Sequence, residues 1–187
     1  PPEMTAAWSG TLAPGLEARL VDEQGNDVAV GGQGELLLRG YTMMSGYYRD
    51  PEATAKVIDA DGWLHTGDIA FMNDEGYIKI ADRKKDIYIM GGFNVAPAEV
   101  EGLLQRFDKI GQAAVIGIPD DHFGEVGMAF VIPRPGAELT AEEVVAFARD
   151  KMANFKVPRR VEIVDALPLN ATGKVLKNEL RARVNQG

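Results

Sequence analysis

The sequence predicts an α+β fold: a β-rich stretch followed by a smaller α+β unit whose short sheet is flanked by helices. Three observations carry this expectation. Short alternating or apolar runs, punctuated by Gly and Asn/Asp turns, fill residues 1–82. From residue 83 onward, apolar runs of strand length alternate with helical periodicities. At the change stands a charged run, Asp82-Arg83-Lys84-Lys85-Asp86. Taken alone such a run reads as a solvated turn; at a change of composition it also reads as a boundary between residues 1–82 and 83–187, with a hinge near Lys85.

Each element follows from local pattern. LEARLVD (residues 16–22) alternates apolar and polar side chains and then meets Gln24-Gly25-Asn26, a turn. GELLLRG (34–40) is an apolar strand bounded by glycines. Asp50-Pro51 supplies an N-cap and a first-position proline for a short helix. GWLHTGDIAFM and YIKIADR flank Asn73-Asp74-Glu75-Gly76 and so predict a hairpin. DIYIM (86–90) reads as a strand, and PAEVEGLLQRF (97–107) as a helix with Val100, Leu103, Leu104 and Phe107 on one face. QAAVIGI and VGMAFVI read as adjacent strands, and Thr140 with Glu143 forms a capping box before VVAFARDKM. RVEIVD is a further strand, and a last helix runs from about Val175.

Composition narrows the function. The chain is 45% hydrophobic and 26% charged, ordinary for a folded soluble protein. A net charge of -8 argues against nucleic-acid binding, which needs a basic face. Without cysteine there is no disulfide, thiolate metal site or cysteine nucleophile, which suits a reducing cytoplasm. No apolar run approaches the ~20 residues that cross a bilayer, and no signal peptide opens the chain. The start at Pro1, without an initiator Met, suggests a processed product or a fragment.

The motifs are individually weak. Gly173-Lys174 is no phosphate-binding loop: the first glycine of that signature would fall at Pro168, and Val175 replaces Ser or Thr. Alone, Lys174 reads as an exposed turn charge. Asp68, in Thr66-Gly67-Asp68, has two acceptor oxygens that suit the vicinal hydroxyls of a ribose, although a turn aspartate capping local amides fits equally. Gly91-Gly92 permits close approach of backbone or ligand, or simply an irregular strand-to-helix loop. Asp120, Asp121, His122 and Glu125 crowd one loop without metal-ligand spacing, so no metal site is expected. Lys156, Arg159 and Arg160 read as a solvated edge.

In order, however, GELLLRGYTMMSGYYRDPEATA, then GWLHTGDIAFMNDEGYIKIADRKKDIYIMGGFNVAPAEVE, then VIGIPDDHFGE, then FKVPRRVEIVDALPLNATGK resemble the adenylate-forming superfamily. That group includes acyl-CoA synthetases, plant coumarate–CoA ligases, firefly luciferase and the adenylation domains of peptide synthetases. The Arg-Lys-Lys-Asp run and the Gly-Gly pair look most like the bacterial fatty acyl-CoA synthetase branch, with Ile89 where luciferases carry a lysine.

The resemblance implies the last β-rich part of a large AMP-binding domain over residues 1–82 and a complete small lid domain over 83–187. It implies an ATP-dependent acyl-CoA ligase of fatty acid and lipid metabolism, in the cytoplasm, with Mg2+ accompanying ATP and coenzyme A as co-substrate. A carboxylic acid substrate and a missing N-terminal large domain would be its partners. Without that domain the chain is expected to be inactive. By the same resemblance Lys174 is the adenylation lysine, Asp68 the ribose-binding carboxylate, and Arg83 the arginine on the ribose–phosphate side. Lys85 is the hinge, where many relatives have aspartate, and Gly91 and Gly92 line the pantetheine passage. Two alternatives share these motifs: an adenylation domain loading a carrier protein, and a non-catalytic binding module that kept the lid fold.

Overall fold

The computed structural model describes residues 8–184, arranged as two compact units that divide between Lys85 and Asp86. The architecture is α+β, as the patterning predicts.

The first unit is one five-stranded antiparallel sheet. Its strands are β1 (Gly10–Thr11), β2 (Leu16–Val21), β3 (Gln33–Gly40), β4 (Leu64–Met72) and β5 (Tyr77–Arg83), in the order β1-β5-β4-β3-β2. β4 and β5 are joined by the expected hairpin. Asn73 Oδ1 accepts from the Glu75 and Tyr77 N–H groups, the local bonding for which Asn is favoured in turns. A short helix α1 (Pro51–Ala55) starts where Asp50 caps it, its Oδ1 accepting from the Ala53 N–H at 2.8 Å. Leu20, Leu36, Ala70 and Ile78 pack on one face of the sheet, and Val21, Leu37 and Trp63 form a second cluster. β3 serves both clusters because neighbouring side chains on a strand point to opposite faces.

The second unit is built around β9 (Gly124–Pro133). On one side β9 pairs antiparallel with β8 (Ile110–Asp120); it also pairs parallel with β10 (Arg160–Ile163) and antiparallel with β6 (Tyr88–Met90), to which β7 (Phe93–Val95) adds. Three helices cover the sheet: α2 (Pro97–Leu104), α3 (Ala141–Lys151) and α4 (Lys177–Val184). Val100, Leu104, Ala114, Val115, Ile116, Phe130, Val131, Val144, Ala148 and Leu180 are wholly buried between them. The predicted capping box is present: Thr140 Oγ1 accepts from the Glu143 N–H, and Glu143 Oε2 accepts from the Thr140 N–H.

Three local expectations are adjusted. Residues 93–95 form a strand, so Gly91-Gly92 is a two-residue hairpin turn and not an irregular strand-to-helix loop. Both glycines have positive φ, 56° and 87°, the conformation that two-residue turns between right-twisted strands require. Helix α2 stops at Leu104, and Phe107 reaches the core from beyond it by stacking on Phe147 at 4.7 Å. Helix α4 starts at Lys177, because Val175 is used in an antiparallel bridge to Leu169.

Candidate functional site

In the first unit the sequence-predicted residues Asp68 and Arg83 come together. They stand opposite one another across the β4–β5 ladder, with Arg83 Nε 2.7 Å from Asp68 Oδ1. The ladder shifts register between Ile69 and Ala70, immediately beyond Asp68. Such bulges re-aim side chains at the end of a strand pair. Thr66 Oγ1 donates to the Leu36 carbonyl at 2.7 Å and accepts from the Asp68 N–H at 3.1 Å, which fixes the backbone that carries the carboxylate. The Asp68 side chain remains 26% exposed and that of Arg83 47%, so the pair faces solvent. Gly67, Arg83, Lys84 and Lys85 line an open hollow of about 320 Å³ there.

On the neighbouring strand, opposite Ile69, stands a residue that sequence reasoning passed over. Glu35 is the one charged residue buried among those described, at 8% exposure. Its Oε2 accepts from Lys84 Nζ at 2.8 Å and lies 3.7 Å from His65 Nδ1. The only sequence signal was a glutamate inside the apolar strand GELLLRG, where a charge has no reason to stand unless paired. The Lys84 N–H also donates to the Gly67 carbonyl at 2.8 Å. Lys85, next in the chain, is exposed, and no ion pair holds it among the described residues.

Lys174, Gly91 and Gly92 belong to the second unit. Lys174 sits in a turn organised by Asn170, whose Oδ1 accepts from the Thr172 N–H, the Thr172 hydroxyl and the Lys174 N–H. Gly173 supplies the positive φ, 82°, that lets the chain reverse. The turn is closed at its base by the Leu169–Val175 bridge, which leaves Lys174 exposed with no ion-pair partner among the described residues. A hydrogen-bonded turn thus presents an exposed cation. The Gly91-Gly92 turn is exposed too, tied to β9's approach by the Gly91 N–H bond to the Phe123 carbonyl at 3.0 Å. Beside it Phe93 stacks on Phe155 at 4.6 Å, and Lys156, expected on a solvated edge, pairs with Glu99 at 2.6 Å.

Asp120 turns inward on its own loop: its Oδ1 accepts from the Phe123 and His122 N–H groups, and these bonds hold its carboxyl below the usual range. Among the described residues no group of three or more His, Cys, Asp or Glu is placed to hold a metal ion. No described helix is long and apolar enough to cross a membrane.

Comparison with known proteins decides the family. The chain matches the model of the AMP-binding enzyme over residues 2–48 and that of the AMP-binding enzyme C-terminal domain over residues 99–174. The chain belongs to the AMP-binding enzymes. It corresponds to their C-terminal region, and its curated relatives are acyl-CoA ligases. A 3-[(3aS,4S,7aS)-7a-methyl-1,5-dioxo-octahydro-1H-inden-4-yl]propanoyl:CoA ligase of Rhodococcus jostii is 53% identical over 96% of this chain, which covers 33% of that protein. A long-chain-fatty-acid–CoA ligase of Escherichia coli O157:H7 is 43% identical over 92% of the chain and 30% of its own length. Among AMP-binding enzymes of known structure, ATP-bound MatB from Rhodopseudomonas palustris superposes with a TM-score of 0.88 at 37% identity, over 95% of this chain and 35% of that one. The chain thus spans about a third of the length of the curated relatives it matches.

Proposed function

We propose that the chain is the C-terminal part of an ATP-dependent acyl-CoA ligase, joining the end of a large nucleotide-binding domain to a small lid that turns about Lys85. The observation that carries this reading is the Asp68–Arg83 pair, a carboxylate and a guanidinium held 2.7 Å apart at the solvent-facing end of a ladder. Asp68 accepts from the two ribose hydroxyls of ATP, for which its paired oxygens are suited. Arg83 orients that carboxylate and presents its remaining N–H groups to the ribose–phosphate side. ATP, bound with Mg2+, supplies an α-phosphoryl centre that a carboxylic acid attacks to give acyl-adenylate and pyrophosphate; coenzyme A then displaces AMP.

Lys174 fits the first of these steps. Its ammonium, without an ion pair among the described residues and mounted on the Asn170-organised turn, offsets the repulsion between carboxylate and triphosphate and the charge that builds in the transition state. The exposed Gly91-Gly92 hairpin suits the second step, since a turn without side chains lets the narrow thiol arm of coenzyme A pass close to the backbone. The upstream large domain, the carboxylic acid, coenzyme A and a cytoplasmic setting in lipid metabolism belong to the same proposal.

The test is ATP–pyrophosphate exchange and thioester formation by the longer polypeptide, offered a panel of long-chain fatty, aryl and bicyclic propanoic acids. Identity to the Rhodococcus jostii ligase favours a ring-bearing propanoic acid as the acid accepted best. Exchange without thioester formation on coenzyme A would redirect the reading to a carrier-protein acceptor. No exchange with any acid would remove the ligase.

A further inference from the structure

We infer that Glu35 is a positioning residue for the Asp68–Arg83 pair: from β3 its carboxylate holds Lys84 and so keeps the facing ends of β4 and β5 at the spacing that brings Asp68 to Arg83. The effect on ATP rests on the ligase reading above; the tie within the sheet does not.

Asp68 and Arg83 are the last pair in register on the β4–β5 ladder. Such ends open readily unless something else holds them. Two irregularities fall beside this one. The β4–β5 register shifts between Ile69 and Ala70, and the β3–β4 register shifts between Glu35 and Leu37. Each shift interrupts the ladder locally. The backbone pairing of β4 is therefore broken toward both neighbours close to Asp68.

Side chains span the gap. Glu35 stands on β3 opposite Ile69, the residue after Asp68. Its Oε2 accepts from Lys84 Nζ at 2.8 Å, and Lys84 is the residue after Arg83. The Lys84 N–H donates in turn to the carbonyl of Gly67, the residue before Asp68, at 2.8 Å. Thr66 Oγ1 adds a second tie to β3 by donating to the Leu36 carbonyl at 2.7 Å. Three strands are thus joined around the pair, and the consecutive cations Lys84 and Arg83 reach different carboxylates. His65 stands between Glu35 and Asp59, with Nδ1 3.7 Å from Glu35 Oε2 and Nε2 3.7 Å from Asp59 Oδ2.

Stability gives Glu35 no reason to be charged. Its side chain is 9% exposed, and its neighbours Leu36 and Leu37 are buried. Well-packed apolar residues often replace a buried ion pair without loss, whereas removing one partner leaves a poorly solvated charge. What the pair supplies here is a fixed geometry at the strand ends, next to the two groups that meet the nucleotide.

The test has two levels. In the chain itself, nuclear magnetic resonance follows solvent exchange of the Arg83 Nε–H, which lies 2.7 Å from Asp68 Oδ1. Asp68→Asn sets the rate when the carboxylate is lost. Glu35→Gln and Lys84→Met should each speed this exchange about tenfold by letting the strand ends open, and Lys84→Arg, which keeps the charge, should restore much of the protection. In the longer polypeptide, Glu35→Gln and Lys84→Met should each raise the KM for ATP about fivefold with a smaller fall in kcat. The double variant should do no worse than either single one, because the two residues act as a unit. Circular dichroism melts identify folded variants, and Lys84→Met removes the pair from its half-exposed partner if Glu35→Gln does not fold. Unchanged protection in the folded variants overturns the inference, as does lost protection with an unchanged KM. If the longer polypeptide exchanges pyrophosphate with no acid, the ligase reading falls and the Arg83 protection alone decides the tie.

Discussion

Tyr88 occupies the space that a side chain on Gly127 would need: a Cβ at Gly127 would lie 2.4 Å from the Tyr88 hydroxyl oxygen. Gly117 flanks the same ring, and a Cβ there would lie 2.3 Å from Tyr88 Cβ. The hydroxyl is buried without a hydrogen-bond partner among the described residues. Burial pushes its ionisation well above the usual tyrosine range, nearby Glu125 adds to this, and Arg159 opposes it. The ring therefore contributes packing while its oxygen contributes a desolvation cost.

This geometry predicts a coupled pair of variants. Gly127→Ala should cost about 1–3 kcal/mol by overpacking. Tyr88→Phe should be neutral or stabilising by up to about 1 kcal/mol, since it removes an unpaired buried group. The double variant should recover much of the glycine penalty, because the two residues are in contact. Urea unfolding of the four proteins measures this, and additive effects would refute the contact.

Asp68→Ala should weaken nucleotide use in the longer polypeptide. The expected change is a rise in KM for ATP of about tenfold with a smaller fall in kcat, the signature of lost binding rather than lost chemistry. Initial rates of ATP–pyrophosphate exchange report it. A fall in kcat at constant KM would assign Asp68 another role.

Lys174→Ala should reduce adenylate formation by about 10²–10³-fold, the effect of deleting one preorganised donor at a developing charge. Thioester formation from supplied acyl-adenylate should survive. Equal loss of both half-reactions would show that the lysine matters to the fold or to both steps.

Lys85→Pro restricts φ at the proposed joint. Thioester formation should suffer more than exchange, since only the second step needs the turned lid. Parallel losses would argue against a hinge at this position.

Glu143 ties the start of α3 to Lys109, with Oε1 2.6 Å from the Lys109 ammonium. That contact first, and the Thr140 N–H second, hold its carboxyl below the ordinary glutamate value of 4.5. A folded value below the unfolded one means the contribution is complete above about 4.5 and is lost as pH falls through the folded value. Glu143→Gln should therefore melt at a lower temperature than the parent near neutral pH, and the two curves should converge in acid. Thr140→Ala should cost about 1 kcal/mol at all pH values by removing the cap.

Much of this protein was legible because the responsible signals are local. The α1 cap at Asp50-Pro51, the hairpin at Asn73–Gly76 and the box of Thr140 with Glu143 each involve residues no more than four apart, so composition and spacing suffice. Asp68, Arg83 and Lys174 were singled out only through the resemblance carried by the order of the motifs, since each motif alone reads as a turn or a solvated charge. Gly91-Gly92 was harder: paired glycines announce a turn, but whether residues 93–95 then form a strand depends on pairing with β6.

What the sequence by itself determined is the α+β class and the family. Tertiary structure alone decided which charges meet. Glu35 and Lys84 are 49 residues apart, and Asp86 and Arg181 are 95 apart. Tyr88 finds its space at Gly127 only because β6 and β8 both run beside β9. No periodicity encodes such pairs, because they depend on how strands stack and where helices return, and a charge becomes an anchor only once the fold has taken its water away.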